Sequence, residues 1–115
     1  MQIQLQMKGR TLVARLTGEL DHHSAKAVKD MLENAIINKA AQNLVFDFTG
    51  LTFMDSSGIG VIIGRYKLIQ ALGGNVGIAS KNKTVDRLIT MSGIKRLMNV
   101  YESVEQAVSG VQGGK

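Results

Sequence analysis

Phe53-Met54-Asp55-Ser56-Ser57-Gly58-Ile59-Gly60 stands between two apolar blocks, Leu44 to Phe48 and Val61 to Leu72. The run Asn43 to Phe48 is almost unbroken apart from Asp47, and a short run of that kind reads as a central strand covered on both faces. Downstream, Ile59, Ile62, Ile63, Tyr66 and Ile69 recur at helical spacing, which predicts a helix from Ser57 to about Leu72. Asp-Ser-Ser-Gly between the blocks is a helix start, where a Ser or Asp oxygen accepts from an orphan N–H of the first turn. The remaining N–H groups and the helix dipole favour an anion there. Read locally, the hydroxyls are caps of a turn. Strand, loop and helix in that order are the repeating unit of an α/β sheet.

Working outward, Ile3, Leu5 and Met7 alternate with Gln4 and Gln6, and Leu12, Ala14 and Leu16 alternate with Thr11 and Arg15. That period of two, broken by Gly9-Arg10, is an antiparallel hairpin. Gly18 to Ser24 is a loop. Val28, Met31, Leu32, Ala35 and Ile36 then mark an amphipathic helix over about 24–39. Beyond the central block, Leu72-Gly73-Gly74-Asn75 ends a helix, Val76 to Ala79 is a strand, and Ser80 to Lys83 a polar loop. A short helix with Val85, Leu88, Ile89 and Met91 stops at Gly93. Leu97 to Tyr101 is a weak strand, and Ser103-Val104-Glu105-Gln106 resembles a capping box before a helix carrying Ala107, Val108 and Val111. The order ββαβαβαβα predicts one α/β domain over 1–110, a mixed sheet with an N-terminal antiparallel hairpin, the other strands mainly parallel, and four helices. Residues 111–115 are expected to fray.

Composition narrows the function. With 115 residues the chain fits one domain, and without Cys it has neither disulfides nor a Cys-based zinc site. No apolar run is long enough for a bilayer, and Met1-Gln2-Ile3-Gln4 lacks the features of a signal peptide, so a cytoplasmic protein without a membrane partner is expected. The net charge is +5, but Lys and Arg are scattered and aromatic residues are 4%, too few for a base-stacking platform. No nucleic-acid partner is expected. His22 and His23 are the only histidines, and neighbours in sequence diverge in direction, so no metal site is expected.

The loops Gly18–Ser24, Gly50–Ser57 and Ser80–Lys83 all follow strands and can meet at one end of the sheet, where α/β sites lie. They bring Asp21, Asp55, Ser56, Ser57 and, less directly, Asn82. A serine nucleophile would need His22 or His23 as base, but Met54-Asp55-Ser56-Ser57-Gly58 is not a nucleophile elbow, and there is no phosphate-binding P-loop. We therefore expect no enzyme, no catalytic residues and no cofactor. An exposed hydroxyl at a helix start does suit a phosphoacceptor, because the helix end tolerates the added charge whereas a partner surface built for a neutral hydroxyl does not. Gly58, Gly60 and Gly64 weaken a helix by up to about 1 kcal/mol each, and point to close approach by the sheet or by a partner.

These residues carry a resemblance. Gly18-Glu19-Leu20-Asp21-His22-His23, the run from Phe53 through Gly64-Arg65-Tyr66-Lys67, and Met91-Ser92-Gly93 resemble the STAS domain family, and within it the anti-sigma factor antagonists of bacterial sporulation. The resemblance spans nearly the whole chain. It implies a bacterial, spore-forming source and a partner-switching role in transcription. The unmodified protein would bind an anti-sigma factor that is also an ATP-dependent serine kinase, and so release a sigma factor. Phosphorylation would end that binding, and a PP2C-like phosphatase would restore it. The residues alone do not choose between Ser56 and Ser57; the family places the phosphate on the serine after the motif Asp, here Ser56. It places Asp21, Asp55, Ser57, Gly58, Ile59 and Gly60 at the partner face. Two other readings stand beside it: a STAS regulator of a general stress circuit, and a receiver-like domain phosphorylated on Asp55.

Overall fold

Alternating side chains build a sheet with two unlike faces. In the computed structural model, which describes residues 1–113, the elements are β1 (Gln2–Lys8), β2 (Thr11–Leu20), α1 (Ala25–Asn38), β3 (Asn43–Met54), α2 (Ser56–Ala71), β4 (Val76–Ala79), α3 (Lys83–Ser92), a 3-10 turn (Ile94–Arg96), β5 (Asn99–Tyr101) and α4 (Val104–Gln112). The sheet order is β1-β2-β3-β4-β5. Only β1 and β2 pair antiparallel; the three other pairings are parallel. The architecture expected from the sequence is the one observed.

On one face Leu12, Leu16, Leu44, Phe46, Phe48 and Ile78 meet α1, α2 and α3 through Leu32, Ile36, Ile62, Ile69 and Ile89, all fully buried. The alternate residues Val13, Val45 and Ala79 meet Ala107 and Val111 of α4 on the other face. Asp47 has the same parity as Val45 and is buried. It accepts from the Thr49 N–H at 3.0 Å and from the Thr49 hydroxyl at 2.6 Å, with Arg15 Nε 4.0 Å away. That network accounts for the one charge in the central strand, since a buried carboxylate needs donors.

The boundaries differ from expectation in places. Both central strands are longer than their apolar runs: β2 continues through Gly18 to Leu20, and β3 through Gly50 to Met54. Register shifts between Arg15 and Thr17 and between Gly18 and Glu19 absorb the glycine-bearing stretch, so pairing resumes where the sequence suggested loops. Met91, expected on the buried stripe of α3, is 77% exposed, because that stripe is only Val85 and Ile89. The buried side of α2 carries Gly58, Val61, Ile62, Arg65 and Ile69, rotated from the predicted stripe; Ile59, Ile63 and Tyr66 are half-buried. The fray expected over 111–115 does not begin at 111: Val111 is buried in α4, which runs to Gln112, and residues 114–115 lie outside the described residues.

Candidate functional site

Parallel register sets the site. Leu20 and Met54 are partners at the ends of β2 and β3, so the next residues, Asp21 and Asp55, leave the sheet at the same level. The Asp55 N–H donates to the Leu20 carbonyl at 3.3 Å, and the His22 N–H donates to Asp55 Oδ2 at 3.2 Å. Asp55 Oδ1 accepts from the Ser57 N–H at 2.8 Å. Asp55 is thus the N-cap of α2 and also joins the two loops. The sequence left the cap open between Asp and Ser; the structure gives it to the carboxylate.

That assignment frees the serines. Ser56 is the first helical residue and is exposed, and among the described residues the loop's hydrogen bonds bypass its hydroxyl. Ser57 follows, half-buried and facing α1. Ser56 is therefore the open hydroxyl, at the positive end of a 16-residue helix. Both oxygens of Asp55 are engaged by backbone N–H groups, which disfavours Asp55 as the phosphoacceptor of a receiver-like domain.

Asp21 folds its own loop. Its Oδ1 accepts from the N–H groups of His23 at 3.0 Å and Ser24 at 3.1 Å. The Ser24 hydroxyl accepts from the Asp21 N–H at 3.0 Å and donates to the Glu19 carbonyl at 3.0 Å, so Ser24 braces the loop and does not cap α1. The Ser24 N–H, above all, holds the Asp21 carboxyl below the usual carboxylate range; burial opposes it and the His23 N–H assists. His22 and His23 are exposed and stack edge to face at 5.8 Å. Among the described residues no group of three His, Cys, Asp or Glu could hold a metal. Asn82 caps α3 through the Val85 N–H at 3.0 Å and makes no hydrogen bond to the Asp21 or Asp55 loops among the described residues.

The glycines of α2 divide into two kinds. A Cβ at Gly58 would overlap Met54 Cγ and come within 2.9 Å of its Sδ and 3.0 Å of Leu20 Cγ, so the sheet demands this glycine. A Cβ at Gly60 or Gly64 would meet nothing within 4 Å. Of the two causes the sequence suggested, the sheet explains Gly58, and no contact within the fold explains Gly60 or Gly64. Ile59 is half-buried beside them.

Three features escaped the sequence reading. Phe53, at the end of β3, is 42% exposed next to the motif. Arg65 is 94% buried under α1, where its Nη2 pairs with Glu33 at 3.2 Å. Lys26 and Lys29 of α1 line the same groove as Ser57, Gly60 and Arg65. The spacing Ser57, Val61, Arg65 put the arginine on the serine's face of the helix and was the available signal.

A small mixed-sheet domain with α4 alone on one face, and an Asp-Ser-Ser-Gly helix start where two parallel strands end together, defines the class. The chain belongs to the STAS domain family, whose pattern matches residues 2–107. It is 38% identical over 112 residues to an anti-sigma F factor antagonist of Paenibacillus polymyxa, covering 97% of this chain and 96% of the relative. The solved structure of the anti-sigma factor antagonist SpoIIAA in its unphosphorylated form superposes with a TM-score of 0.84 at 34% identity, covering 97% of each chain. That of the Bacillus cell fate determinant SpoIIAA in the phosphorylated form gives 0.74 at 33% identity, covering 96% of this chain and 99% of that one.

Proposed function

We propose that this chain is an anti-sigma factor antagonist whose binding is gated by phosphorylation of Ser56. Unmodified, it docks through the start of α2 on an anti-sigma factor with serine kinase activity and releases a sporulation sigma factor. The kinase moves the γ-phosphoryl group of its own ATP to Ser56, the complex parts, and a PP2C-like phosphatase removes the phosphate. Asp21, Asp55, Ser57, Gly58, Ile59 and Gly60 form or shape the docking face. The observation that carries this reading is the division of labour in the motif: Asp55 caps the helix, and Ser56 is left exposed.

The physics follows from that division. A phosphate on Ser56 adds about −1.5 to −2 charge. At a helix N-terminus such charge is worth roughly 0.3–1 kcal/mol in favour of the fold. Against a partner surface that expects a hydroxyl, the unpaired dianion loses its water without compensation, at a cost of several kcal/mol. The fold stays and the complex goes. Incubation with the partner kinase and ATP, followed by intact mass and peptide mapping, tests the site: one added phosphoryl group on Ser56 is expected, and phosphate on Ser57 or Asp55 would refute the assignment.

A further inference from the structure

One irregularity in the pairing of β2 with β3 aims a single side chain. Gly18 pairs with Leu51 and Glu19 with Phe53, so Thr52 is an extra residue on β3, a β-bulge. Two features brace it. Gly18 takes φ +110, a conformation that favours glycine, and the Thr52 hydroxyl donates to the Gly18 carbonyl at 3.1 Å. In an unbroken strand Leu51 and Phe53 would share a face. The bulge parts them: Leu51 and Met54 are buried in the core, whereas Phe53 turns away from it into solvent. Of the three phenylalanines it alone is exposed; Phe46 and Phe48 are fully buried. The ring stands close to the switch. Ser56 follows three residues later, at most about 11 Å away between Cα atoms. Asp55, between them, is bonded to Leu20 and His22, which fixes the strand end against the helix start. Helix α2 packs on the core side and Phe53 points from the other, so a partner seated on the end of the sheet meets both.

We propose that Phe53 is the apolar anchor of the docking face and enters an apolar pocket of the anti-sigma factor that binds the unmodified start of α2. The inference rests on the function proposed above and adds the chemistry that the partner must offer. A bulge beside a site re-aims a side chain, and a buried aromatic ring is the usual centre of binding energy in an interface. The ring supplies affinity by excluding water, and Ser56 beside it supplies the charge that cancels that affinity. A lasting complex with the unmodified chain needs such an anchor, whereas a phosphatase needs only a brief encounter. The net charge of +5 opposes a second copy of the chain as the occupant.

The test measures affinity for the anti-sigma factor by titration calorimetry, for the parent, Phe53→Ala, Phe53→Gln, Phe53→Leu and Ser56→Asp, with circular dichroism as the check on folding. Phe53→Gln and Phe53→Leu keep most of the bulk and differ in polarity, so they carry the test if Phe53→Ala does not fold. Phe53→Ala and Phe53→Gln should bind about tenfold more weakly or worse, and Phe53→Leu within about threefold of the parent. Binding by Phe53→Gln within about twofold of the parent overturns the anchor, as does a Phe53→Leu variant as weak as Phe53→Gln. The chain has no Trp, so Phe53→Trp adds a single fluorescent reporter. Its emission should shift to the blue when the anti-sigma factor binds; binding with no shift overturns the pocket, and a shift that grows with the concentration of the chain alone assigns the ring to a second copy and overturns it too. If Ser56→Asp abolishes binding while the Phe53 variants bind normally, the gating reading stands without the anchor. If the parent itself does not bind, the reading and the anchor fall together.

Discussion

Ser56 and Asp55 are neighbours with opposite tasks. Asp55 supplies the cap and the inter-loop bond, so Asp55→Ala should lower stability by about 0.5–2 kcal/mol, read from denaturant unfolding. Ser56 supplies neither, so Ser56→Ala should leave unfolding unchanged, keep binding to the anti-sigma factor and take up no phosphate. Uptake at another residue of that variant would move the site. Asp21 offers a test in pH. Its folded pKa lies below the unfolded one, so its contribution is complete above the ordinary carboxylate range, near pKa about 3.9, and fades as pH falls through the folded value. The stability gap between the parent and Asp21→Asn should therefore be constant from about pH 5 to 8 and narrow in acid, as thermal unfolding at each pH would show.

Helix α2 is where packing and function diverge. Gly58 is pressed by Met54 and Leu20, so Gly58→Ala should cost roughly 1–3 kcal/mol. Gly60 has open space, so Gly60→Ala should stabilise the fold by about 0.5–1 kcal/mol while weakening the complex. Unfolding and binding measured on the same pair of variants would separate the two; equal destabilisation by both would remove the argument for an outside partner at Gly60. The end of the helix is more conventional: Gly73, at φ +82, and Gly74 return their N–H groups to the carbonyls of Gln70 and Ile69, as Leu72-Gly73-Gly74 suggested. The start was legible as a helix N-terminus, but which oxygen capped it was not, because Asp and Ser compete equally well in sequence. Arg65 was hidden by the apolar run around it, since periodicity counts apolar residues and ignores a charge paired across helices.

Over the whole molecule, alternation and helical spacing were enough to predict the mixed sheet and its four helices. They ended β2 and β3 too early, because Gly18 and Gly50 read as punctuation, while in the fold the register shifts carry pairing past them to Leu20 and Met54. Those extra residues matter: they bring Asp21 and Asp55 off the sheet side by side, a juxtaposition that only long-range pairing reveals. The charge at Ser56 is expected to act on the complex and not on this framework. The most direct test compares unmodified protein with protein fully phosphorylated on Ser56, both shown folded by circular dichroism, in titrations against the anti-sigma factor. The account predicts binding by the first and a loss of at least about a hundredfold in the second, given several kcal/mol of uncompensated charge; equal affinities would contradict it.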